Sequence, residues 1–135
     1  MKSAFVDSNV FLSFFTTGDK IQHEKAARLF RDAAAGKIAL LTGPPVLFEL
    51  AWTLRSGFGL TQESVMEVLS ATVALPGLSL VDAPIVEKAI ALAKGTRQEF
   101  ADAYIAVSAR AYHADSVATF NRKHFERLGA VLYPL

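Results

Sequence analysis

Short unbroken apolar runs alternate along this chain with stretches in which apolar residues recur at helical spacing. Residues 4–6 are the first run and predict a strand that ends at Asp7. Residues 9–15 then open a helix, with Ser8 or Asn9 as its cap. From 20 to 35, Ala26, Ala27, Phe30, Ala33 and Ala34 keep helical spacing until Gly36 ends the helix. A strand at 38–41 precedes Pro44-Pro45, which opens a helix carrying Glu49 and stopping near Gly57, since proline is tolerated in a first turn. Residues 61–75 predict a helix with Val65, Val68, Leu69 and Thr72 along one face, broken by Pro76-Gly77. A strand follows at 78–81, and Asp82 then caps a helix that turns Val86, Ala89, Ile90 and Ala93 inward before Gly95. The helix at 100–112 is apolar nearly all round, which predicts a central position. A strand at 117–119, a short helix at 122–127 and a strand at 130–132 complete the pattern.

Strands that alternate with helices predict an α/β fold, a parallel sheet covered by helices on both faces. Ligands of such sheets sit beyond the carboxyl ends of the strands, where strand order reverses. Asp7 ends the first strand, Thr119-Phe120-Asn121 ends a later one, and Asp102 opens the 100–112 helix, where the dipole favours negative charge. These three segments are expected to converge on one edge of the sheet.

A length of 135 residues suits one domain, 1–135, with no repeat, linker or low-complexity segment. The formal net charge of +1 excludes a polyelectrolyte binder, so any nucleic-acid contact must come from a local patch. With no cysteine, disulfides, thiolate nucleophiles and thiolate-bound zinc are excluded. Asp7 and Asn9 interrupt the first apolar run and make a poor signal peptide. No uncharged apolar run approaches the ~20 residues that cross a bilayer, so a cytoplasmic protein is expected.

Against this apolar background (52% hydrophobic residues), three carboxylates stand out. Asp7, Glu49 and Asp102 each lie in an apolar stretch, with no Lys or Arg within three positions. Burying an unpaired carboxylate costs several kcal/mol and is relieved by protonation, a charged partner or a metal. Three acids on separate segments point to a shared cation, Mg²⁺ or Mn²⁺. Taken singly, Asp7 and Asp102 also suit a helix cap and a first-turn acid, whereas Glu49 is a mid-helix acid among Val, Leu, Phe and Trp.

The same residues carry a family resemblance. Phe5-Val6-Asp7-Ser8-Asn9-Val10-Phe11-Leu12 resembles the opening motif of PIN-domain nucleases. Glu49 matches the second acid of that family, Phe100-Ala101-Asp102-Ala103-Tyr104-Ile105-Ala106-Val107 resembles its third-acid helix, and Val117-Ala118-Thr119-Phe120-Asn121 resembles its fourth-position segment. The resemblance runs from about residue 3 to residue 133, with the motifs in family order. It implies a PIN-like three-layer sandwich with a central parallel sheet of about five strands. In size the chain is similar to the VapC-type toxins of prokaryotic toxin–antitoxin pairs, which are metal-dependent endoribonucleases. The resemblance therefore implies Mg²⁺ or Mn²⁺ as cofactor, RNA as substrate, a cognate antitoxin and a homodimer. One residue departs from the pattern: the fourth position, often Asp, is Asn121, which removes a charge that a hard cation prefers.

The site so implied has Asp7, Glu49 and Asp102 as catalytic residues, with these three and Asn121 around the metal. Glu49 is either a water-mediated ligand or the acceptor of a proton from the nucleophile. Thr119, Asn9 and Glu99 are candidates to orient these acids through hydrogen bonds, although Glu99 also suits a solvated first turn. Arg122, Lys123 and Arg97 are candidates to contact RNA phosphates. His23, His113 and His124 are expected on the surface, and Trp52 in a core or interface. Two readings compete with the nuclease. An inactive PIN-like binding module would have no reason to keep Glu49 buried. A phosphatase of the haloacid dehalogenase type wants a second Asp where Asn9 stands. The homodimer is expected through the 44–57 and 61–75 helices, where Met66 and Val73 lie off the inward stripe.

Overall fold

The computed structural model of the chain describes residues 2–135. Three short strands, β1 (Ser3–Phe5), β2 (Ala39–Thr42) and β3 (Leu78–Leu80), form a parallel sheet in the order β1-β2-β3. Around it run α1 (Ser8–Phe15), α2 (Lys20–Ala34), α3 (Pro44–Trp52), α4 (Gln62–Val73), α5 (Ala83–Thr96), α6 (Phe100–Ala111) and α7 (Arg122–Arg127). Every helix boundary predicted from a glycine, a proline or an acidic cap is met to within a few residues. A π-helical turn, Thr53–Gly57, prolongs α3 to the glycine expected to stop it.

The register pairs Ala4 with Leu40 and Leu40 with Leu78, and two positions along it pairs Thr42 with Leu80. Alternation then sends Val6, Leu40 and Thr42 into the core, and leaves Phe5 and Leu41 partly open on the other side. Phe11 of α1 stacks on Phe30 of α2, ring centroids 5.6 Å apart, and Leu47 and Leu50 anchor α3 beneath them.

The expected five strands become three. Val117 and Leu132 pair in parallel, but as an isolated bridge. The segments at 117–119 and 130–132 lie beside the turns that flank α7, and their pairing rests on Val117 N–H to Val131 O and Tyr133 N–H to Val117 O. Strand order also follows chain order, so the three-stranded sheet contains no reversal to mark a crevice.

Two helices differ from expectation. α6 is not central: Phe100, Ala103, Ala106 and Val107 face inward, while Ile105, Arg110 and Ala111 are exposed. It packs along α5, and the buried residues of the two helices include Ala89 and Ala93 on α5 and Ala103 and Ala106 on α6, small side chains that suit a close approach. In α4 the inward stripe is Val65, Met66, Leu69 and Thr72. Met66 is only 2% exposed, so it is core and not the surface residue that the dimer expectation required. Among the described residues, no helix is long and apolar enough to cross a membrane.

Candidate active site

The carboxyl end of β1 sets the first acid. Val6 continues the pairing beyond β1 by donating its N–H to Leu41 O, and the buried Thr42 hydroxyl donates to Val6 O at 3.0 Å. The residue that follows is thus held from two directions. Asp7, extended at φ −85° and ψ 162°, is the N-cap of α1 and accepts from Ser8 N–H at 2.7 Å. The cap is therefore Asp7 itself, in place of Ser8 or Asn9.

Ser8 is buried, and its hydroxyl donates to Glu49 Oε1 at 2.8 Å. This bond ties the start of α1 to the second turn of α3. Glu49 is exposed, not buried. α3 turns Leu47 and Leu50 inward and leaves Glu49 on the water side, where Trp52 follows one turn later and is 69% exposed. The expected cost of burying Glu49 does not arise, and Trp52 is not a core residue.

Asp102 lies in the first turn of α6 with its side chain 23% exposed. His124 of α7 comes to it, Nδ1 to Oδ2 at 3.6 Å. Sequence reasoning named Ser8 only as a possible cap and His124 only on the surface, and missed the contact that each makes with an acid. Ser8 could have been found as the polar residue inside the Asp7-Ser8-Asn9 motif, whereas nothing local announces His124. Asn121 stands at the N-cap position of α7, exposed and without a side-chain cap bond. Its N–H donates to Thr119 Oγ1 at 3.0 Å, so Thr119 shapes the approach to α7 and is not bonded to Asp7.

An aromatic cluster fixes α3 against α6. Phe48 lies 5.4 Å from Phe100 and 5.0 Å from Tyr104, the latter edge-on. Burial, then coulombic interaction with Asp82 and Tyr112, push the Tyr104 phenol above its ordinary range. The helices that carry Glu49 and Asp102 are thereby neighbours. Beside the cluster, a groove of about 260 Å³ is lined by Phe48, Trp52, Arg55, Glu99 and Phe100.

Other candidates have structural partners. Glu99, the N-cap residue of α6, pairs with Arg55 at 3.0 Å and so joins the π-helical turn to α6. Arg97 lies 3.7 Å from Glu63 on an open surface, and Arg122 donates to Tyr133 O. Lys123 is exposed. Asn9 is exposed and lines a groove between α1 and α2 with Val10, Ser13 and Lys25.

Among the described residues, none of Asp7, Glu49 and Asp102 pairs with Lys or Arg, whereas Glu63 and Glu99 do. The three are not drawn into one cage: among the described residues, no three His, Cys, Asp or Glu side chains stand together as a metal site. Their carboxylate oxygens are the hard donors that a divalent cation takes, one or two at a time beside bound water.

A family model described as PIN domain matches residues 4–131. No curated protein matches the chain.

Proposed function

The chain belongs to the PIN domain family, and from that premise we propose that it is a metal-dependent endoribonuclease. Proteins of this family are generally nucleases that use divalent metals. The observation that carries the reading is the bond from the buried Ser8 hydroxyl to Glu49, which sets the Asp7 strand end beside a second exposed carboxylate. Two carboxylates without a Lys or Arg partner on adjoining elements suit a hydrated cation.

In this reading Asp7 and Asp102 would hold the cation, with Asn121 as a further oxygen donor. The bound cation would neutralise the phosphate and lower the pKa of an attacking water. Glu49 accepts the proton that this water releases as its oxygen bonds to phosphorus. The bond from phosphorus to the leaving ribose oxygen breaks, and that oxygen takes a proton from solvent. His124 stands 3.6 Å from Asp102, and Lys123 and Arg122 on the same helix offer charge to the phosphates. The test is cleavage of single-stranded RNA by the purified chain with Mn²⁺, abolished by chelation and restored by added Mn²⁺. Glu49→Gln keeps shape and loses the proton acceptor, so it is expected to cut the rate by about 10²-fold or more. Full activity in Glu49→Gln would return that residue to an ordinary surface position. Absence of metal-dependent cleavage by the wild type would favour the inactive binding module, which gains some support because the acids form no closed cage.

The finer reading is the toxin of a VapC-type toxin–antitoxin pair in the cytoplasm, supported by the four motifs standing in family order. Its test is genetic: expression of the chain alone should arrest growth, and co-expression of the adjacent antitoxin gene should relieve the arrest. Unimpaired growth would reject the toxin role and leave the nuclease reading standing.

A homodimer completes the proposal. With Met66 in the core, Trp52 is the exposed large apolar side chain on the proposed helices. Light scattering is expected to give twice the 14.6 kDa chain mass, falling to the single-chain value in Trp52→Asp. A wild type that is already monomeric at micromolar concentration rejects the dimer.

A further inference from the structure

Ser8 touches both of the first two acids: one bond caps α1 and the other satisfies a buried hydroxyl, and each also fixes a carboxylate oxygen. It opens α1 and is 2% exposed. Its N–H donates to Asp7 Oδ1 at 2.7 Å and its hydroxyl to Glu49 Oε1 at 2.8 Å. Glu49 is exposed, so water can satisfy that carboxylate and the bond is not needed to solvate it. The bond supplies direction instead. A glutamate on a helix surface samples three side-chain torsions, and a donor fixed in the packed start of α1 selects among them. Oε1 is held and Oε2 is left for a further partner. The backbone of Ser8 meanwhile fixes one oxygen of Asp7.

We propose that Ser8 is a positioning residue that holds Asp7 and Glu49 in mutual register for a divalent cation. The inference rests on the metal-dependent reading above. It differs from a merely structural link between α1 and α3, because such a link would change stability and leave metal affinity alone. Residues that orient metal-binding carboxylates through hydrogen bonds typically alter metal affinity or activity about 10–100-fold when removed.

The experiment is calorimetric titration of Mn²⁺ into the wild type, Ser8→Ala, Ser8→Thr, Glu49→Ala and the Ser8→Ala/Glu49→Ala double variant. RNA cleavage and thermal midpoints are measured alongside. Ser8→Ala is expected to bind Mn²⁺ about tenfold or more weakly and to lose kcat with little change in KM. Ser8→Thr retains the hydroxyl and should recover most of the loss. In the Glu49→Ala background, Ser8→Ala should add little, since its effect is exerted mainly through Glu49. Wild-type Mn²⁺ affinity in Ser8→Ala, or a full additive loss in the double variant, overturns the assignment. The double variant decides even where the added methyl of Ser8→Thr disturbs folding. A wild type that binds no Mn²⁺ overturns the metal reading first and this inference with it, an outcome visible before any substitution is made.

Discussion

Asp7→Asn is expected to lower Mn²⁺-dependent RNA cleavage about 10²–10³-fold while leaving the thermal midpoint nearly unchanged. On the metal-dependent reading, the substitution separates the cap role of Asp7 from its charge. As the N-cap of α1, Asp7 presents an oxygen to Ser8 N–H, and an Asn amide oxygen does the same. Asn and Asp rank together as caps, so helix stability should change by no more than about 0.5 kcal/mol. What Asn lacks is charge. A metal at a phosphoryl centre supplies several kcal/mol of transition-state stabilisation, and each 1.36 kcal/mol is tenfold in rate, which gives the expected loss of about 10²–10³. The measurement is single-turnover cleavage with saturating Mn²⁺, paired with a melting curve. Undiminished cleavage would reduce Asp7 to a helix cap. A large fall in melting temperature with proportionate loss of activity would mean that the cap, not the charge, had mattered. Asp7→Ala removes cap and charge together and should lose stability as well, by about 1 kcal/mol.

This separation was only half legible in the sequence, and the reason is general. Element boundaries were readable because Gly36, Pro44-Pro45, Pro76-Gly77 and Gly95 interrupt the periodic segments at points where backbone geometry has to change. Which face of an element meets water was harder to read. The stretch from Pro44 to Trp52 is apolar nearly all round, so Glu49 looked enclosed. Leu47, Leu50 and Leu54 in fact mark the inward line at helical spacing, and Glu49 with Trp52 falls outside it. Met66 went astray in the same way, because Val65, Met66, Leu69 and Thr72 make a continuous inward stripe once Val68 is moved toward the rim. Contacts between distant segments left no trace at all. His124 beside Asp102 and Ser8 beside Glu49 depend on how α7 meets α6 and α1 meets α3, which no local pattern encodes. The three acids stood out in the sequence by their apolar surroundings, whereas the contacts of Ser8 and His124 appear only in the fold.

Gly77→Ala is expected to be the most destabilising single-methyl change in the turns, for a reason unconnected with the site. Gly77 sits at φ +80°, a backbone region that costs an alanine about 1–2 kcal/mol. A Cβ there would also lie 2.4 Å from Ala33 O and 2.7 Å from Ala33 C. Those atoms are backbone near the end of α2, so no flexible side-chain tip can swing aside. Relief must come from moving the turn away from α2, yet Gly77 O also accepts from Leu40 N–H at 2.9 Å and so fixes how β3 enters the sheet. Overpacking of this kind typically adds about 1–3 kcal/mol, for a total of roughly 2–5 kcal/mol. For a chain of this size the melting midpoint should fall by about 10 °C or more. Gly36 provides the control: its φ is +76°, but nothing lies within 4 Å of its would-be Cβ. Gly36→Ala should therefore show the conformational cost alone, about 1–2 kcal/mol. Urea melts of the two variants measure the difference directly, at matched slope. Equal losses would mean that the contact with Ala33 relaxes freely, and that β3 is not pinned to α2 through this turn.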